Sequence, residues 1–138
     1  MYYDSLVQLI YEPNHKTMRI SKERTIAELQ QDFQASFPGL QLRFYQRQHA
    51  EHEGSPKRSQ HPASMTLGAM NPALVDGEIE LQGENSVANF ERELEERFAL
   101  HAQVFRRSNN LWLQTTSTDD WTLETQNLKG LHSIQANH

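Results

Sequence analysis

The chain has 138 residues, 36% hydrophobic and 22% charged, with a formal net charge of −5 and no cysteine. That length makes one domain, or two very small ones sharing a core, and it buries about two-thirds of the unfolded surface without a covalent staple. The absence of cysteine excludes disulfides, thiolate zinc sites and cysteine nucleophiles.

Residues 1–16, MYYDSLVQLIYEPNHK, carry no basic n-region, and no segment approaches the ~20 apolar residues of a membrane span. A soluble cytoplasmic protein without membrane contact is therefore expected. The charge is uneven: residues 1–71 carry eight Lys/Arg against seven Asp/Glu, and residues 72–138 carry five against eleven. Such asymmetry suits head-to-tail self-contact or a basic partner, although a solvated acidic helix is the simpler and favoured explanation.

Residues 5–10 (SLVQLI) and 17–20 (TMRI) are β-prone runs on either side of a Pro/Asn turn and read as a hairpin. Thr25, with Glu28 three positions on, forms a capping box for a helix over 26–37. Ile26, Leu29, Phe33 and Phe37 give that helix one apolar stripe, and Pro38-Gly39 stops it. Leu40, Leu42 and Phe44 then alternate with Gln41, Arg43 and Tyr45, the period of a strand with one buried face. Residues 48–64 (RQHAEHEGSPKRSQHPA) read as a mobile surface loop, followed by Met65-Thr66-Leu67 at the start of a short turn.

The same order recurs about sixty residues later. Ile79 and Leu81 alternate with polar residues, and Ser86 caps a helix whose stripe is Val87, Phe90, Leu94 and Phe98. Glu91, Arg92, Glu93, Glu95, Glu96 and Arg97 are expected on its wet face. Leu100, Ala102 and Val104 alternate on the next strand, and Asn109-Asn110 turns 102–107 back against 111–116 as a hairpin. Trp121-Thr122-Leu123 echoes Met65-Thr66-Leu67, with Asp119 or Asp120 as cap and Trp121 as a plug beneath the turn; residues 135–138 are expected to fray. The fold class is thus α+β with internally duplicated βαβ units, a first repeat over 1–77 and a second over 78–138, packed as one body.

One half alone resembles the ubiquitin-like β-grasp. The resemblance rests on Lys16-Thr17-Met18-Arg19-Ile20, Thr25-Ile26-Ala27-Glu28-Leu29 opening the helix, Leu42-Arg43-Phe44, the Thr66-Leu67 turn and Glu78-Ile79-Glu80-Leu81 as closing strand. It implies two grasp units fused edge to edge over residues 5–82 and 78–134. The chain departs from conjugated modifiers in ending Gln135-Ala136-Asn137-His138, with no Gly-Gly. Residues 103–127 also resemble a stretch of small bacterial proteins of unknown function, which implies no activity. A ferredoxin-like βαββαβ sheet with both helices on one face is the alternative topology.

Three surfaces are candidates for function. Tyr45, Phe105 and Trp112 fall on the strand faces opposite the expected core, with Leu111 and Leu113 turned inward, and exposed aromatics anchor protein partners. A second layer covering them is the competing reading. Arg43, Arg47, Lys57 and Arg58 form a modest basic patch that, beside an aromatic, suits single-stranded nucleic acid; charge that merely keeps a loop soluble competes with it. His49, His52 and His61, with Glu51 and Glu53, are the only local cluster of metal-type ligands, in a loop whose Gly54, Ser55 and Pro56 disfavour a rigid helix.

No nucleophile elbow, phosphate loop or dinucleotide fingerprint is present. The expectation is a non-enzymatic protein–protein interaction module or accessory subunit of bacterial type, without cofactor, with an unidentified protein partner and possible homo-oligomers. A nucleic-acid-binding accessory protein is the first alternative, and a metal-dependent enzyme using the His-rich loop is the second.

Overall fold

A computed structural model describes residues 16–46, 54 and 57–135 of the chain. Residues 5–10 of the expected hairpin, and 136–138, lie outside the described residues. Helix α1 (Ile26–Ser36) begins at the anticipated capping box: the Glu28 N–H donates to Thr25 Oγ1 at 3.2 Å, and the Thr25 N–H donates to Glu28 Oε1 at 2.8 Å. It connects β1 (Lys16–Ile20) to β2 (Leu40–Tyr45), and a short helix α2 (Leu67–Met70) follows.

Strand β3 (Gly77–Leu81), helix α3 (Val87–Phe98) and strand β4 (His101–Ser108) repeat that order. The two-residue turn Asn109-Asn110, with Asn109 in the left-handed region (φ 54°), leads into β5 (Leu111–Gln114). Helix α4 (Leu123–Gln135) completes the chain.

The class is α+β, with the strands in two antiparallel sheets of order β1-β3 and β2-β4-β5. No four-stranded sheet is formed among the described residues, which corrects the ferredoxin-like alternative. That fold pairs β1 with β4 and β2 with β3 in the order 4-1-3-2, whereas here β2 pairs with β4. Both sheets join the halves. Met18 pairs with Ile79 and Arg43 pairs with Gln103, residues 61 and 60 positions apart that hold corresponding places in the two repeats 18–47 and 79–107.

The helix starts are tied down in matching ways. The Ile26 N–H donates to the Met65 carbonyl and the Val87 N–H to the Trp121 carbonyl, both at 2.9 Å. The Leu67 N–H donates to the Arg24 carbonyl (2.8 Å), as Leu123 does to Asn85 (2.9 Å). First-turn N–H groups have no partner within their own helix, so each turn supplies the missing acceptors.

One apolar core collects residues from both halves, including Met18, Ile20, Leu29, Phe33, Leu42 and Phe44 with Ile79, Phe90, Leu94 and Val104. The stripes of α1 and α3 meet where the Phe33 and Phe90 rings stack at 5.2 Å between centroids.

Several local expectations need correction. Glu91 is buried (6% exposed) rather than on the wet face, because its Oε2 accepts the Val104 N–H at 2.8 Å where the β4–β5 ladder ends. Segment 123–135 is a full helix, not a short turn. Its cap is Thr122, whose Oγ1 accepts the Thr125 N–H at 3.1 Å, and not an aspartate. Trp121 is exposed, with the Lys129 ammonium 5.9 Å from its ring centroid, and does not plug the turn. Met65, at the equivalent position, packs against the core. The expected loop 48–64 contains ordered structure over 57–61, which pairs with the edge of β2.

Candidate interaction surface

Alternation along β2, β4 and β5 assigns each side chain to one of two faces. Leu40, Leu42, Phe44, Ala102 and Val104 face the core. Gln41, Arg43, Tyr45, Gln103, Phe105, Arg107, Trp112 and Gln114 share the outer face.

Two of the three aromatics on that outer face are buried. Tyr45 is 2% exposed and Phe105 4%, so neither aromatic offers a free anchor; this corrects the expectation that they project into solvent. The Arg43 guanidinium lies 4.0 Å from the centroid of the Phe105 ring, held by its Nε donating to Gln41 Oε1 at 2.7 Å. Burial raises the Tyr45 phenol pKa, against a smaller lowering from the Arg43 charge. Trp112 is half-buried, with the Arg107 guanidinium 5.4 Å from its ring centroid. Arginines of neighbouring strands thus cover two of the three expected aromatics. Gly54 lies against the Gln114 side chain and adds contact at the far end of the face.

The basic patch is only partly within view. Arg43 is committed to Gln41 and Phe105, Lys57 is exposed, and Arg47 and the Arg58 side chain lie outside the described residues. Of the three histidines, His49 and His52 also lie outside. His61 is half-buried, and burial, then the neighbouring His101, lowers its pKa. His101 Nδ1 contacts Glu95 Oε1 instead of joining a ligand set. Among the described residues no three His, Asp or Glu side chains are placed to hold a metal ion.

A groove of about 310 Å³ runs along the outer side of β3 and α3, lined by Glu78, Glu80, Glu93 and Arg97 among others. Arg97 donates to Glu93 at 2.6 Å along its helical wall and Gln82 to Glu80 at 2.8 Å along its strand wall. No helix among the described residues is long and apolar enough to cross a membrane.

The sheet edges are where apolar surface emerges. Leu111 is 66% exposed and Leu113 42%, contrary to the expectation that they face the core. They do point to the inner face, but β5 lies at the margin of the sheet. The inner-face neighbour of Leu113 is Arg106, whose guanidinium donates to Gln126 Oε1 of α4 at 2.9 Å, so a polar contact closes the core before it reaches β5.

The opposite edge, beside β2, is built differently. Tyr45 bridges Gln60, and the His61 N–H donates to the Phe44 carbonyl at 2.8 Å. Thr115 donates likewise to Val104 at 3.3 Å, so 59–61 borders β2 as 113–115 borders β4. The first edge carries Lys57, Ser59 and Gln60, and the second carries Leu111, Trp112 and Leu113.

Comparison with known proteins found no matching family model, no similar curated protein and no similar solved structure.

Proposed function

We propose that this protein is a non-enzymatic protein–protein interaction module, an accessory subunit working through the margin of its three-stranded sheet. The observation that carries the reading is the apolar edge of β5, where Leu111 and Leu113 stand exposed. Native sheets protect such edges with charge, proline or covering segments, so a bare apolar edge marks a place where a partner adds. We read the chain as two related β-grasp-like units fused through their strands. The paired ties at Ile26/Val87 and Leu67/Leu123 support the duplication. The unit departs from the ubiquitin-like pattern in β3 pairing directly with β1, where the grasp pairs its closing strand with the strand that precedes β1.

The test places a photo-crosslinking amino acid at Leu113, with Glu96 on the exposed face of α3 as control, in cells that encode the protein. Discrete protein adducts from 113 and none from 96 are expected. No adduct, or the same adducts from both positions, would reject the reading. A gel shift with single-stranded DNA at low salt addresses the nucleic-acid alternative, because phosphate-driven binding is strongest there.

A further inference from the structure

We propose that the partner at the β5 edge is a second copy of this chain, paired antiparallel about a two-fold axis through Trp112. This rests on the interaction reading above and names its partner. The backbone sets the register. The Thr115 N–H donates to the Val104 carbonyl, so alternate residues 111, 113 and 115 bond toward β4, and Trp112 turns its N–H and C=O outward. Nothing among the described residues meets those two groups.

Two antiparallel copies then exchange both hydrogen bonds between Trp112 and its symmetry mate. The flanking positions become close, non-hydrogen-bonded pairs, so Leu111 of each copy faces Leu113 of the other. The two exposed leucines sit symmetrically about the one outward-facing residue, which makes the strand complementary to itself.

Charge agrees with this occupant. Residues 108–118, SNNLWLQTTST, carry no charge in a chain that is 22% charged, so a second copy brings no like charge to the seam. Pairing β5 with the other edge of a second molecule, head to tail, would instead set leucines against Lys57 and Ser59. A four-residue strand covers far less than the roughly 800 Å² per partner of a standard interface, so the dimer is weak, with Kd of roughly 0.1–1 mM.

Sedimentation equilibrium of the full chain from about 10 µM to about 2 mM reads this range directly. Reversible monomer–dimer association is expected. Leu113→Glu should weaken it at least about tenfold, since the axis counts the substitution twice, with an unchanged far-UV spectrum because the side chain is partly exposed.

The register has its own test, and the absence of native cysteine keeps it clean. Oxidising an equimolar mixture of Leu111→Cys and Leu113→Cys proteins should give chiefly the mixed disulfide. A strict monomer over the whole range, association untouched by Leu113→Glu, or a Leu113→Cys homodimer forming faster than the mixed species each overturns the proposal. A monomer that still gives a foreign adduct from position 113 removes self-pairing and leaves the interaction reading standing.

Discussion

Gly130→Ala tests how α4 is fixed to the body, because two physical effects of opposite sign meet at one atom. In an isolated helix the change is favourable by about 1 kcal/mol, since alanine loses less backbone entropy than glycine. Here a Cβ at position 130 would stand 2.4 Å from the Gly39 carbonyl oxygen. That oxygen cannot retreat, because it accepts the Arg107 N–H at 2.9 Å, while the Gly39 N–H donates to Asn127 Oδ1 at 2.6 Å.

Relief therefore requires α4 to move outward by most of an ångström. Overpacking of that kind costs about 1–3 kcal/mol, and losing the Asn127 bond about 0.5–1.5 more. After subtracting the propensity gain, the expected loss is about 2 kcal/mol, a fall in Tm of roughly 5–10 °C for a chain of this size. Urea unfolding followed by far-UV circular dichroism measures it, with Asn127→Ala isolating the lost hydrogen bond. A Gly130→Ala protein as stable as wild type would refute the argument that helix and strand meet backbone to backbone.

Ala99 ends α3 in the left-handed region (φ 52°, ψ 40°), where a Cβ is unfavourable, so Ala99→Gly should stabilise by about 0.5–1 kcal/mol in the same unfolding assay. Glu91→Ala deprives the buried Val104 N–H of its carboxylate and should cost about 1.5–3 kcal/mol, with Glu91→Gln costing less because an acceptor oxygen remains. For His61 the folded pKa lies below the unfolded one, so the unfolded chain binds the proton more readily. Its contribution is present above the unfolded value and is lost as pH falls through the folded one. Urea midpoints measured from about pH 8 to pH 5 should drop more steeply in wild type than in His61→Gln, and parallel profiles would contradict the assignment.

What could be read from the sequence follows how each element earns its stability. Helix α1 and the start of α3 were legible because apolar stripes and Thr25 or Ser86 caps are local signals, and strand alternation gave β2 and the β4–β5 hairpin. Helix α4 was not, because beyond Leu123 its buried positions are not apolar. Gln126 is buried and bonds Arg106 and Thr118, Asn127 caps the Gly39 amide, and Gly130 meets backbone. No hydrophobic periodicity records a face made of hydrogen bonds and a glycine notch. Glu91 misled for a related reason: the same carboxylate is a solvent group or an acceptor for a strand end, and only the position of β4 decides which.

The candidate surface was half legible, and the failures share one cause. Alternation placed Tyr45, Phe105 and Trp112 together on one face and Leu111 and Leu113 on the other, and both assignments agree with the register. Alternation carries no information on what covers a face. Arg43 lies over Phe105 and Arg107 over Trp112 on the side expected to be open, and the core stops at Arg106 before reaching the side expected to be closed. Facing inward is not the same as being buried: a side chain at the margin of a sheet needs a partner beyond the sheet, and among the described strands none pairs with the outer edge of β5. The first half supplies Lys57–His61 along the corresponding margin of β2. The second half ends that margin in two leucines, and the proposed use of the β5 edge rests on this difference between otherwise parallel halves.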